Sequence, residues 1–179
     1  AIRSANLDKV GGPDAYAHYP AGWAWAMNTP FQWMKTVASH LGGFRNAMVL
    51  NWPGHITDRG GVRSQFGHVN DITPTILEAA GIEAPQVVDG IAQKPMDGTS
   101  LLYTLADPKA PERHRTQYFE VFGHRSLYHD GWMASAFHSR LPWTVTGFGN
   151  KAFEDDQWEL YDLRNDFSQA DDVVAKYPE

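Results

Sequence analysis

Cysteine is absent from all 179 residues. Disulfide bonds, thiolate metal ligands and a cysteine nucleophile are therefore excluded from this chain. No apolar run approaches the ~18 residues that a membrane-spanning helix needs, and the opening stretch AIRSANLDKVGGPDAY holds no signal-peptide apolar region. A membrane partner is not expected, while cytoplasm and periplasm stay equally open. Basic residues are few and scattered, with 15 Lys and Arg against 21 Asp and Glu and a formal net charge of −6. Nothing offers the basic stripe that a phosphate backbone requires, so nucleic acid is not expected as a partner either. A G-x-S-x-G elbow, a Walker loop and a G-x-G-x-x-G fingerprint are all missing, which leaves stand-alone hydrolase or nucleotide chemistry without support.

What is present can fold. Hydrophobic residues make up 42% of the chain and include seven Trp, seven Tyr and nine Phe, enough apolar surface for a core. Residues 1 to 22 lack periodicity and read as irregular chain. From Pro30 to Leu41 the spacing predicts a helix, with Thr29 as cap, Gly42 and Gly43 as its end, and an apolar stripe of Phe31, Met34, Ala38 and Leu41 edged by Lys35. AMVLNW, residues 47 to 52, is a continuous apolar run stopped by Pro53 and Gly54, as expected of a strand covered on both faces in a parallel sheet. Ile72, Ile76, Leu77 and Ala80 mark one side of a second helix that ends at Gly81, with Asp71 and Thr73 as capping residues. Residues 82 to 116 have a linker's composition.

Beyond the linker the pattern becomes aromatic and alternating. Strands are expected over 118 to 123, 126 to 129, 132 to 137 and 158 to 163, with a two-residue hairpin at Asp130-Gly131. Ala170, Val173, Val174 and Tyr177 are spaced for a terminal helix over this sheet, stopped by Pro178. Two parts result, residues 1–105 as a helix-and-strand α/β portion and residues 106–179 as an antiparallel subdomain.

The eight histidines, at 18, 40, 55, 68, 114, 124, 129 and 138, include no His-x-His or His-x3-His pair. His124 and His129 are five apart, which sends them to opposite faces of a strand; ordinary polar histidine is the preferred reading over metal ligation. The acidic pairs Asp155-Asp156 and Asp171-Asp172 read as solvated or helix-end charge.

Four strings in order carry a resemblance. Lys35 followed by Gly42-Gly43 and AMVLNWPG, then HVNDITPTILEAAGI at 68 to 82, DGTSLLYTL at 97 to 105, and WELYDLRNDFSQADDV at 158 to 173 together resemble the formylglycine-dependent sulfatases, most of all the large bacterial arylsulfatases. The resemblance implies an α/β chain: the C-terminal part of an alkaline-phosphatase-like sulfatase fold, ending in a small antiparallel sheet packed by a C-terminal helix. It implies a parent enzyme that hydrolyses sulfate esters of small molecules with a formylglycine nucleophile and calcium.

Neither version of the Cys/Ser-x-Pro/Ala-x-Arg motif that yields formylglycine occurs in this sequence, and the family's Asp and Asp-Asn metal ligands are unmatched. The chain alone is therefore expected to be inactive and to bind no metal strongly. The one catalytic residue that carries over is Lys35, matching the lysine that contacts a sulfate oxygen, although it stands seven residues before Gly42 where many relatives have six. A solvated helix-edge lysine is the alternative. His40 is a second candidate contact, and His18 and Trp23 are candidates for a pocket rim. A phosphonate or phosphodiester hydrolase on the same fold, and a non-catalytic interaction module, remain open. A both-faces-buried strand without its neighbours would favour self-association.

Overall fold

The structure, a computed structural model, describes residues 8–9, 11–14, 19–138 and 151–178. Its organising element is a four-stranded antiparallel sheet of β3 (Thr116–Val121), β4 (His124–His129), β5 (Trp132–Ala136) and β6 (Trp158–Asp162), paired in sequence order. Two-residue turns join the first three strands. In each, both central residues have positive φ, 54° and 86° at Phe122-Gly123 and 47° and 83° at Asp130-Gly131, matching the right-handed twist of the flanking strands. Asp130-Gly131 is legible from composition, whereas a phenylalanine before glycine carries no such signal. His124 is buried and His129 exposed, on opposite faces as their odd spacing requires.

The inner face of this sheet holds two cross-strand rows of different chemistry. Tyr128 pairs with Met133 and Met133 with Tyr161, and these three with Leu41 form the buried apolar cluster, flanked by Phe31, Phe44, Phe66, Phe119 and Leu163. Phe66 stacks on Tyr128 with ring centroids 3.9 Å apart, and Phe44 on Phe119 at 4.0 Å. The neighbouring row is polar: Ser126 opposite Ser135, and Ser135 opposite Glu159. Both serines are fully buried.

Ahead of the sheet come α1 (Ala21–Asn28), α2 (Leu41–Phe44), α3 (Ile72–Ala80), a minimal hairpin of β1 (Val87–Val88) and β2 (Ile91–Ala92), and α4 (Tyr103–Ala106). The helix α3 ends as expected, with Gly81 left-handed at φ 66° and its amide returned to Leu77 and Glu78. Its start is anchored by Asp71. That buried carboxylate accepts the amides of His68 and Thr99, each at 2.7 Å, and Nδ1 of His114 at 2.8 Å.

Three expected elements differ. The helix over Pro30 to Leu41 does not form, because Trp33 (φ 66°) and Thr36 (φ 85°) occupy the left-handed region, where an α-helix cannot continue. Instead, i→i+3 bonds Val37 N–H to Met34 O, His40 N–H to Val37 O and Gly43 N–H to His40 O make consecutive turns. Such turns repeat every three residues, so Met34, Val37, Ala38 and Leu41 are still buried without a helix. Gly42 and Gly43 therefore lie in α2 and not after a helix. A Cβ on Gly43 would stand 1.9 Å from the Val37 carbonyl oxygen, and one on Gly42 would stand 2.1 Å from that of Gln32.

The run 47 to 52 belongs to no strand, and Met48, Val49 and Leu50 are 52%, 90% and 46% exposed; among the described residues nothing pairs with it to complete a ladder. The terminal helix is a single 3-10 turn, Val174–Lys176. Asp172 explains the shortening. Its Oδ1 accepts the amides of both Leu160 and Val174 at 2.9 Å, and the Val173 amide bonds to the Leu160 carbonyl, so the backbone is held to β6 before a helical turn can begin. Tyr177 still reaches the sheet, edge-on to Trp132 at 5.1 Å.

Gly43→Ala is expected to destabilise the protein by about 2–3 kcal/mol, since its Cβ cannot fit without displacing the turn backbone. Urea unfolding followed by tryptophan fluorescence measures this, and a change under about 0.5 kcal/mol, the range of ordinary surface substitutions, would show that the turns are not packed as described.

Candidate functional site

Lys35 lies within the turns that press onto the sheet. It is exposed, while Met34 before it and Val37, Ala38, Ser39 and His40 after it are buried. Among the described residues its ammonium has no hydrogen-bond or ion-pair partner. Its neighbourhood is nevertheless fixed, because the sheet's polar row is tied to this part of the chain, directly by Ser126 and Glu159 and through Gln169 by Ser135. Ser126 Oγ donates to the Ala38 carbonyl at 2.6 Å. Ser135 Oγ accepts from Gln169 Nε2 at 3.1 Å, and Gln169 Oε1 accepts the Leu41 amide at 2.6 Å. Glu159 Oε2 meets His40 Nε2 at 3.0 Å.

Gln169 is fully buried at a φ of 59°, and its own carbonyl accepts from the Gln32 side chain. A buried amide left unpaired costs about 1–3 kcal/mol, so these bonds hold the loop in one place. From the other side, Asn28 at the end of α1 donates to the carbonyls of Trp33 (3.1 Å) and Gly42 (2.8 Å), closing the loop's neck. Trp33 lies between Trp25 and Phe137, with both centroid separations at 4.6 Å.

The other residues singled out in the sequence occupy different settings. Trp23 is 64% exposed on α1, and among the described residues no hydrogen bond or ring contact joins it to Lys35. His40 is 2% exposed and both its ring nitrogens are engaged, Nε2 by Glu159 and Nδ1 by Ser39 Oγ at 2.9 Å. His18 lies outside the described residues. Tyr161 Oη donates to Glu159 at 3.1 Å; burial first, and then the Glu159 charge, push its hydroxyl pKa well above the usual tyrosine range. Gln169, Ser126 and Glu159 are the residues sequence reading missed. Ser126 and Glu159 share an inner-face row that becomes visible only once the strand register is known, and Gln169 carries no local signal.

Asp156 corrects the reading of Asp155-Asp156 as surface charge. Its side chain is fully buried, with Arg125 Nη2 at 2.7 Å, His138 Nδ1 at 3.0 Å and Lys151 Nζ at 3.2 Å. Burial alone would raise its pKa, but the hydrogen bonds from His138 and Lys151 outweigh it and hold the carboxyl below the usual carboxylate range. Among the described residues no three His, Asp or Glu side chains converge on a point where a metal could bind. The buried carboxylates Asp71 and Asp156 are turned to cationic or N–H partners, so their oxygens do not form the six-to-eight-oxygen shell that calcium takes, about 2.3–2.6 Å from the ion. The described residues do not fit that ion.

The profile of the family described as N-sulphoglucosamine sulphohydrolase, C-terminal, matches residues 31–178. A sulfatase of Formosa agariphila is 29% identical over 153 residues, covering 84% of this chain and 26% of that protein. An arylsulfatase of Klebsiella aerogenes is 28% identical over 118 residues, covering 66% and 24% respectively. The N-acetylgalactosamine-6-sulfatase of Sus scrofa is 36% identical over 72 residues, 40% of this chain and 12% of that one. The chain thus spans about a quarter of the length of the first two. In fold, it resembles the crystal structure of Ps i-CgsB with a TM-score of 0.55 at 20% identity, over 84% of this chain and 29% of that one.

The Asp156 cluster gives stability a definite sign with pH. A carboxyl whose folded pKa is depressed contributes above its unfolded value of about 3.9, and the contribution is lost as pH falls through the folded value. Asp156→Asn is expected to lower stability by about 2 kcal/mol at pH 7 and to flatten the fall in stability below pH ~4. Denaturant titrations of both proteins at several pH values check this; parallel pH curves would place the carboxylate outside the cation cluster.

Proposed function

Because this chain belongs to the C-terminal sulfatase family, we propose that it forms the C-terminal part of a sulfuric ester hydrolase in which Lys35 contacts the sulfate group. The observation that carries this reading is the setting of Lys35: an exposed ammonium, unpartnered among the described residues, on a loop immobilised by the Ser126, Ser135 and Glu159 row. A lysine on a mobile loop would lose its geometric advantage. Among the described residues the cation has no partner, while its backbone is held.

In the reaction, charge accumulates on the ester oxygens as the S–O bond breaks. A preorganised ammonium beside a sulfate oxygen stabilises that charge more than it stabilises the ground state. The chain's part is this contact and its support. Formylglycine and calcium, which the family reading assigns to the parent, belong to residues other than these 179. The chain has no motif for the first, and its described carboxylates do not fit the second. On this reading residues 1–105 adjoin the rest of an α/β domain, and residues 106–179 pack beside it as the antiparallel subdomain. The exposed Met48, Val49 and Leu50 support this division, as an apolar run that needs covering, whether by the parent or by self-association of the isolated chain.

An aryl sulfate assay tests the reading in two proteins. The isolated 179-residue chain should show no turnover, with or without added calcium. In the parent sulfatase carrying this segment, Lys35→Ala should lower kcat by about 100-fold, the loss typical of one charge-stabilising donor. Full activity of that variant would remove Lys35 from the sulfate site.

A further inference from the structure

Between Lys35 and the sheet stands a hydrogen-bonded pair, His40 and Glu159, whose place in the reaction the family reading does not supply. His40 is 2% exposed, with Nε2 3.0 Å from Glu159 Oε2 and Nδ1 2.9 Å from Ser39 Oγ. With Nε2–H directed at the carboxylate, Nδ1 of the neutral ring is left to accept the Ser39 hydroxyl. Glu159 is held in turn by Tyr161 Oη at 3.1 Å, and the Tyr161 ring meets the His40 ring edge-on at 6.0 Å. The arrangement has the membership of a Ser-His-Glu relay but cannot work as one. Ser39 is fully buried, which leaves its hydroxyl no path to a substrate.

The direction in which this pair can act is set by the backbone. His40 is joined to Val37, and Val37 to Met34, by two i→i+3 bonds, and Lys35 sits inside the second of these turns. Losing the His40–Glu159 bond would therefore free the backbone at His40 and with it the turn that carries Lys35, because consecutive turns share their end residues. Gly43 prevents compensation from the far side, since its Cα already packs against the Val37 carbonyl. Ser126 and Gln169 hold the loop down at Ala38 and Leu41. Among the described residues His40 holds the loop laterally against β6 through Glu159, alongside the hydrogen bond between Gln32 and Tyr161.

We infer that His40, through its bond to Glu159, is a positioning residue that aims the Lys35 ammonium. It touches no substrate itself. The inference rests on the sulfate-contact reading of Lys35, and a double-mutant cycle separates the two. In the parent sulfatase, His40→Gln should lower kcat for an aryl sulfate about tenfold, as expected for a displacement below 1 Å, with KM changed less than twofold. In the Lys35→Ala background the same substitution should have almost no further effect, because there is no ammonium left to aim.

Glu159→Ala, at a side chain about one-third exposed and so easier to tolerate, should reproduce both results. Glu159→Gln, which keeps an acceptor oxygen, should restore most of the activity. Equal losses from His40→Gln with and without Lys35 would overturn the positioning role and leave a merely structural histidine. A fully active Lys35→Ala enzyme would instead overturn the sulfate-contact reading on which the inference rests.

Discussion

Gln169 sits fully buried where the chain returns from β6, and its side-chain amide bonds in two directions, to Ser135 on the sheet and to the Leu41 amide in the loop. With Ser126 beside it and Glu159 beyond Ser135, it completes a polar row that a sheet interior would otherwise exclude. Apolar contact between Leu41 and the Tyr128–Met133–Tyr161 row supplies the burial, but such contact is non-directional and would tolerate sliding. The polar row does not, since any shift leaves buried donors and acceptors unpaired. Burial thus brings the loop to the sheet, and the hydrogen bonds decide where it stops.

The molecule is correspondingly uneven. The sheet, its loop and the Asp71 anchor at the start of α3 are dense with buried polar groups, whereas the intended apolar side of α3 and the run around Val49 face outward. Ile76 is 61% and Val49 90% exposed. An amphipathic helix with no buried residue and an apolar run without a ladder are what a sequence pattern made for a larger α/β layer looks like when that layer is not in contact with it. The relatives are about three times as long as this chain, which fits that reading.

Much of the antiparallel half was legible because its signals are local: alternation, aromatic content and an Asp-Gly turn each act within a few residues. Helix α3 was legible for the same reason, having both periodicity and a glycine stop. The stretch from Pro30 to Leu41 was misread because apolar residues every three to four positions suit a run of tight turns as well as a helix. Only the positive φ at Trp33 and Thr36, imposed by packing and by Asn28, separates the two. Lys35 was singled out through the order of motifs and not through its own surroundings. Its support was invisible, since Ser126, Ser135, Glu159 and Gln169 are scattered over more than forty positions and meet only through strand register. Asp156 escaped for a related reason: an acidic pair in a polar loop gives no hint that one member turns inward to Arg125, Lys151 and His138.

Hydrogen exchange at the Leu41 amide reads the polar row most directly, because that N–H has a single buried partner, Gln169 Oε1, and lies outside the sheet's own ladder. If the row fixes the loop, this amide exchanges as slowly as those of β4 and β5 in the chain, and in Gln169→Ala its protection falls at least 100-fold while theirs falls less, as local opening of about 2.7 kcal/mol would give. A Leu41 amide that exchanges as fast as those of Val49 and Leu50 in the unaltered chain would contradict the account, leaving the loop held by apolar contact alone.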